Sequence, residues 1–295
     1  MFTKYIKAVG TGKKHNYDLS VDQMYTATKM MLEGEVYPEQ ISAFLLGWRL
    51  KPETPDEFVG ALKAFDEYII KTPVQNSVEL GYPYDGKRNN PYLFSLIAQQ
   101  LLEHEINIVV SGDTLQAGKD GITLKEICNN IQTPSNLYYF DRKVMFKELS
   151  NLTQTRSRLG IRTGFNTIER LPNPANSDIA LLGVFHKPFM EKYAKMFGSR
   201  YKKLIIVKGN EGTSEIYSKC QYWIIENDSI SEHTIDPKDF GIDYTKSWDR
   251  ISLEESIQNI NNPSDELVKI AKLNAAFILF AYGKCASIQE AYESL

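Results

Sequence analysis

Cysteine is scarce in this sequence: three occur in 295 residues, Cys128, Cys220 and Cys285, far apart and without CxxC or Cys/His spacing. That excludes a disulfide framework and a structural zinc site, and it points to a reducing cytoplasm. Long apolar runs are missing too. The longest spans eight residues, Ala275 to Tyr282, against the roughly 18–20 that a bilayer-spanning helix needs. The opening MFTKYIKAVGTGKK lacks the apolar core of a secretory signal. A soluble cytoplasmic protein with no membrane association is expected. The four histidines, His15, His104, His186 and His233, are scattered and read as polar surface or strand-end residues, and no GxSxG or HExxH is present, so hydrolase and metalloprotease chemistry has little support. An excess of charge is also absent. Lys plus Arg totals 34 and Asp plus Glu 37, a formal net charge of −3, which argues against a protein that coats nucleic acid with its whole surface but leaves room for a local basic stripe.

What is present is ordinary globular composition, 42% hydrophobic and 24% charged, long enough for a small and a large domain. Residues 1–71 read as a helical bundle. Ser20 with Gln23 forms a capping-box pattern before VDQMYTATKMMLEG, in which Met24, Thr28 and Met31 share a face and Gly34 ends the helix; Pro38 and the group Thr54, Pro55, Glu57 open the next two. From residue 72 to 295 short β-rich runs alternate with amphipathic helices, the pattern of a mostly parallel sheet with crossover helices. The runs are 106–110, 137–140, 179–185, 203–207 and 221–225. The helices are PYLFSLIAQQLLEHE, TLKEICNNI (opened by a Thr123/Glu126 box), KPFMEKYAKMF, DELVKIAKLNAAFILFAYG with Gly283 as its cap, and SIQEAYESL with a Ser287/Glu290 box. The fold class is α/β: a small N-terminal helical bundle domain on a larger α/β domain that shares an interface with it.

Three segments carry charge in places where ligands bind. In Gly81-Tyr82-Pro83-Tyr84-Asp85-Gly86-Lys87-Arg88-Asn89-Asn90-Pro91, Asn90 and Pro91 read as N-cap and first residue of a helix, so free N–H groups beside Lys87 and Arg88 make a plausible anion site; a solvated turn fits equally. A helix over 144–159 sets Arg156 and Arg158 about 200° apart, so that one of them faces solvent; Arg162 follows. Third, Lys208-Gly209-Asn210-Glu211-Gly212-Thr213-Ser214-Glu215 follows the run KLIIV, where α/β proteins place ligands. Glu211 and Glu215 offer oxygen ligands for Mg²⁺ through water, although loop glutamates are more often simply solvated.

The order helical bundle, phosphate-like loop, GIRTGFNTIERLPNPA, LLGVFHKPFMEKYA, IIVKGNEGTSE and NAAFILFAYGKCASIQEA resembles glycosyltransferase family 3 over nearly the whole chain. Leu159 to Ala175 is similar to that family's LGxRTxFNxLGPLxNPA, with Glu169 and Arg170 in place of Gly-Pro. The resemblance implies a phosphoribosyltransferase-like fold, a homodimer through the helical part, and Mg²⁺ if the chain is catalytic. It also brings out departures. Where the family's phosphoribosyl-pyrophosphate loop reads GTGGD, this sequence has Gly81, Tyr82, Pro83, Tyr84 and Asp85, losing backbone donors and space to Pro83 and Tyr84. The family's KHGN becomes Val110, Ser111, Gly112 and Asp113, and in its Asp-Glu metal motif Ser214 stands before Glu215. Arg156 matches the arginine that contacts the acceptor. These changes, and the segments IKAVGTGKKHNYDL, LLGWRLKPETPDEFVGALKAF and PYDGKRNNPYL, resemble the YbiB-type branch. That branch implies a dimer without tryptophan-pathway activity and nucleic-acid binding along a basic groove, here lined by Lys13, Lys14, Lys87, Arg88 and Arg162, with Lys208 as a further polyanion contact. The expectation is a phosphoribosyltransferase-fold protein that binds a nucleotide or nucleic acid at the old phosphate site. The alternative is an active Mg²⁺-dependent transferase in which Asp85 and Glu215 serve metal or ribose and Arg156 the acceptor.

Overall fold

The computed structural model describes residues 1–185, 188–227 and 229–295. Four helices form the N-terminal bundle: α1 (Thr3–Gly10), α2 (Val21–Leu32), α3 (Pro38–Leu50) and α4 (Pro55–Asp66). Their ends follow the capping chemistry of the sequence. Ser20 and Thr54 accept from the amides of Gln23 and Glu57, and each partner's side chain returns a bond to the cap's own N–H. Glu57 also ties the bundle together: fully buried, it accepts from Leu19 N (3.0 Å), Trp48 Nε1 (2.9 Å) and the Lys51 ammonium.

The sheet has seven strands: β1 (Ser77–Gly81), β2 (Asn107–Gly112), β3 (Leu137–Asp141), β4 (Ile179–Gly183), β5 (Lys203–Val207), β6 (Cys220–Glu226) and β7 (Ser229–Ile235), in the order β3-β2-β1-β4-β5-β6-β7. β1 to β5 are parallel; β6 and β7 run antiparallel at the edge. The parallel strands at the centre are buried on both faces. On β4, Ala180 and Leu182 join the core shared with the helical bundle, whereas Ile179 and Leu181 face the opposite core beneath Asp265–Tyr282. The bundle meets the sheet domain through aromatics: Phe65 lies 5.0 Å from Phe146 and 5.1 Å from Phe165, and Trp48 lies 6.2 Å from Phe165. Gly164 permits this approach, since a Cβ there would fall 2.3 Å from the Trp48 ring.

Several local expectations need correction. The helix expected at Pro91 begins at Phe94 and ends at Gln100, with Leu93 rather than Asn90 at its cap. The expected helix 144–159 is broken into Arg142–Met145, Lys147–Asn151 and Thr153–Leu159. In the helix Ile288–Ser294, Ser287 caps Glu290 N as expected, but the Glu290 carboxylate turns to Ala286 N. Strands β1 and β7 and the helix Leu253–Asn261, opened by a Ser252/Glu255 box, were not anticipated. β1 carries Glu79 in its middle and β7 is almost wholly exposed, so neither shows an apolar run. His186 and Lys187, the latter the first residue of the KPFMEKYAKMF segment, lie outside the described residues. His15 and His233 are exposed, His104 half-buried; Cys220 is buried while Cys128 and Cys285 are half-buried. No helix among the described residues is long and apolar enough to cross a membrane.

Candidate functional site

After β1 the chain winds outward through β2 and β3, then returns to β4 on the other side of β1. The crevice outside the carboxyl ends of β1 and β4 is therefore the switch point at which open α/β sheets hold ligands. Here the crevice holds Arg170. Its guanidinium donates to Gly81 O (2.8 Å), Gly183 O (3.0 Å) and Gly212 O (2.6 Å), closing the ends of both strands onto the Lys208–Glu215 loop. Burial pushes its pKa below the ordinary arginine range.

The loop after β1 is buried rather than solvated. Lys87 is 1% exposed and pairs with Glu215, while donating to Pro91 O at 2.8 Å. Its ammonium also lies 5.2 and 5.0 Å from the Tyr92 and Tyr217 ring centroids. Glu215 accepts in addition from Tyr82 Oη (2.8 Å), Leu93 N (2.7 Å) and Thr213 Oγ1 (3.3 Å). The positive end of the Phe94–Gln100 helix, expected to face a ligand, thus meets a carboxylate of the same chain. Asn90, expected to cap that helix, instead exchanges hydrogen bonds with Ser247, donating to its carbonyl (3.2 Å) and accepting from its amide (3.0 Å). Glu211 accepts from the consecutive amides of Arg88 (2.6 Å), Asn89 (3.2 Å) and Asn90 (3.1 Å).

A second network fills the space under the loop. Arg156, 2% exposed, makes a bidentate pair with Glu169 at 2.7 and 2.9 Å. Arg142 pairs with the same carboxylate and with Asp113 (2.9 Å), and its guanidinium carbon stands 4.5 Å above the Tyr84 ring. Burial raises the cost of charging Asp113, but Arg142, Ser150 Oγ (2.6 Å) and Thr114 N (2.6 Å) hold its carboxyl below the ordinary range. Arg158 faces solvent, as the helical spacing requires. Tyr84, Asp113, Glu169 and Arg170 are residues at which the sequence departs from the family pattern, and each supplies either this network or the plug of the switch crevice.

Asp85 stands between Lys119 N (3.2 Å), Arg162 Nε (3.5 Å) and Lys119 Nζ (3.9 Å), with no hydrogen-bond donor on Oδ1. Burial pushes the Lys119 ammonium down to about 8 against the pull of Asp85 and Glu211; it donates to Gly86 O (3.0 Å) and Glu211 O (2.7 Å). Among the described residues no three His, Cys, Asp or Glu side chains converge, and both oxygens of Glu215 are already bonded within the chain.

Two open clefts adjoin this filled crevice and share Val184 and Phe185. The larger, about 650 Å³, is bordered by Lys208, Lys219, Lys246, Glu211 and Trp248. Lys246 Nζ lies 4.9 Å from the Trp248 ring centroid, Lys219 reaches Asp236 at 3.5 Å, and Trp248 is 80% exposed. The smaller, about 200 Å³, lies between the bundle and the sheet domain, with Arg49 and Arg162 facing Phe189 and Tyr193. Of the residues expected to line one basic groove, Lys13 instead borders a separate cleft on the helical bundle with Leu50 and Lys51, and its neighbour Lys14 is exposed. Lys119, Arg142, Lys246 and Trp248 escaped the sequence reading; a lone tryptophan in the polar stretch DYTKSWDR was the available signal.

Residues 3–68 match the helical bundle domain of the glycosyl transferase family and residues 113–295 its a/b domain. The chain belongs to glycosyltransferase family 3. Within the family it is 30% identical to an anthranilate phosphoribosyltransferase of Saccharolobus islandicus, over 94% of this chain and 86% of that one, and 28% identical to an uncharacterized protein of Aquifex aeolicus, over 94% and 92%. Anthranilate phosphoribosyltransferase from Thermus thermophilus superposes with a TM-score of 0.76 at 18% identity, covering 99% of this chain and 92% of that one. The Saccharomyces cerevisiae enzyme in complex with PRPP and Mg does so with 0.76 at 17%, covering 99% and 93%. At such identities the likeness is one of fold. This family member keeps the frame and fills the switch crevice with its own side chains.

Proposed function

We propose that this protein is a divergent, YbiB-type member of its family that binds a phosphate-bearing ligand, a nucleotide or a nucleic-acid strand, without the phosphoribosyl transfer of its relatives. The observation that carries this reading is the pairing of a filled crevice with an open cationic cleft beside it. Arg170 and the Lys87–Glu215 pair take up the place where the fold holds ligands. Lys208, Lys219 and Lys246, with the exposed rings of Trp248 and Phe185, offer charge for phosphates and faces for bases next door. The ligand then enters through the Lys208 cleft, which Glu211 borders, rather than through the crevice at the strand ends. Fluorescence anisotropy of labelled single-stranded DNA, with AMP as competitor at low salt, tests it. Binding that weakens in Lys208→Ala and Lys246→Ala is expected; no binding of either probe at low salt refutes the proposal.

A homodimer through the helical part belongs to the same proposal and is supported by Leu46 and Leu50, one turn apart on α3 and both exposed, on the same helix that exposed Tyr37 opens. Sedimentation analysis decides it. One observation favours the competing reading of an active Mg²⁺-dependent transferase: Asp85 retains an oxygen without a hydrogen-bond donor beside Arg162 and Lys119. That reading requires Glu215 to leave Lys87 and its three further donors, and pyrophosphate release from phosphoribosyl pyrophosphate with Mg²⁺ would establish it.

A further inference from the structure

Three successive amides, those of Arg88, Asn89 and Asn90, converge on the single carboxylate of Glu211, a residue distant in sequence. Consecutive N–H groups turned to one side form a concave anion site. The amides are positioned from behind by groups other than Glu211. Arg88 O accepts from Ile251 N (2.8 Å), the Asn89 amide group donates to Asp249 O (3.1 Å), Asn90 exchanges two bonds with Ser247, and Lys87 is bridged to Ile122 by backbone bonds of 3.0 and 2.7 Å. None of these bonds uses the Glu211 carboxylate.

Glu211 itself is held in an unfavourable conformation. Its φ of 50° and ψ of 26° lie in the left-handed region, which a residue with a Cβ rarely adopts, and it is held there by the three amide bonds and by Lys119 on its carbonyl. It also borders the cleft of Lys208, Lys219 and Lys246. A terminal phosphate entering that cleft brings three acceptor oxygens and more charge than one carboxylate, a closer match to three convergent donors among cations.

We propose that Glu211 is an internal stand-in for a phosphate monoester: its carboxylate occupies an anion site made by the amides of residues 88–90, and a phosphate entering through the lysine cleft displaces it. This rests on the reading of that cleft as a phosphate site. The consequence is inverted from the usual one for a residue in a binding site, because removing Glu211 strengthens binding.

The test titrates the wild-type chain, Glu211→Ala and Glu211→Gln with inorganic phosphate and with AMP by calorimetry, following the amide resonances of residues 88–90. Glu211→Ala is expected to bind phosphate roughly tenfold tighter than wild type or better, with Glu211→Gln between them and all three amides shifting. Should Glu211→Ala fail to fold, Glu211→Gln carries the same comparison against wild type. Equal affinities, or shifts confined to Lys208 and its neighbours while residues 88–90 stay unmoved, overturn the stand-in and leave the cleft as a phosphate site. Absence of phosphate and AMP binding in every variant overturns both.

Discussion

Arg156 presents both terminal guanidinium nitrogens to Glu169, at 2.7 and 2.9 Å, with both residues buried. The resemblance to the family implies that Arg156 would be the arginine contacting the acceptor, and it marks Glu169 as a departure from the family's motif. The departure neutralises the match. Arg142 and Asp113 extend the pair into a set of two cations and two anions, so the set carries no net charge to offer a ligand. Buried sets of this kind are costly to break and add little when whole.

Removing the shared anion therefore exposes the cost. Glu169→Ala leaves Arg142 with Asp113 alone and Arg156 without its carboxylate, and is expected to lose about 3–5 kcal/mol in urea unfolding. The double variant Arg156→Ala/Glu169→Ala is expected to lose less than the sum of the single variants. A loss below about 1 kcal/mol for Glu169→Ala, the range of exposed pairs, would show that the charges are solvated.

Lys87 and Arg88, adjacent and both expected from sequence to bind phosphate, separate by role. Lys87→Ala strands the buried Glu215 carboxylate and is expected to cost about 3–5 kcal/mol, whereas Arg88, whose side chain is exposed, is expected to change stability by no more than about 0.5 kcal/mol on truncation. Parallel denaturant melts check both. Equal, small effects would return Lys87 to the ligand-binding role.

Glu79 gives the fold a pH dependence of its own. Burial in β1 pushes its carboxyl from the ordinary 4.5 up to about 7, in spite of bonds from Tyr201 Oη and Asn173 N. The folded state then holds the proton more tightly than the unfolded chain. Its stabilising contribution is complete below about pH 4.5, falls as pH rises, and is gone above about 7, a change of roughly 3 kcal/mol at about 1.36 kcal/mol per pH unit. Glu79→Gln is expected to flatten that part of the stability profile and to gain over wild type at about pH 8. An unchanged profile contradicts the assignment.

In the cleft, each of Lys208→Ala and Lys246→Ala is expected to reduce the slope of log affinity against log salt for single-stranded DNA by about 0.7 while leaving unfolding within about 0.5 kcal/mol of wild type. Trp248→Ala is expected to weaken binding by about 1–3 kcal/mol with no change in that slope, since stacking carries no counterion. Anisotropy over a salt series separates the two effects, and a slope untouched by either lysine variant places the phosphates elsewhere.

Local chemistry was legible in the sequence and distant pairing was not. Ser20 with Gln23, Thr54 with Glu57 and Thr123 with Glu126 each satisfy amides within four residues, so their boxes form as written. Asn90-Pro91 has the same appearance as a helix start, yet Ser247, from a distant loop, claims the asparagine side chain. Lys87 and Glu215 are 128 residues apart, and nothing in either neighbourhood announces the other. The Gly81–Asn90 loop reads as a site for a ligand anion; that its amides meet the chain's own Glu211 is visible only with the Lys208–Glu215 loop placed over it. β1 was missed because its central residue is a glutamate whose burial depends on Tyr201 and Asn173, far along the chain.

Arg170 and the Lys87–Glu215 pair occupy the switch crevice of this family member with its own side chains. Calorimetry of the wild-type protein with phosphoribosyl pyrophosphate and Mg²⁺ tests it most directly. Arg170 on the strand ends and Glu215 on Lys87 predict no Mg²⁺-dependent binding up to about millimolar ligand, a ΔG no better than about −4 kcal/mol, with any weak heat arising in the Lys208 cleft and vanishing in Lys208→Ala. Micromolar, Mg²⁺-dependent binding that survives Lys208→Ala would contradict the account.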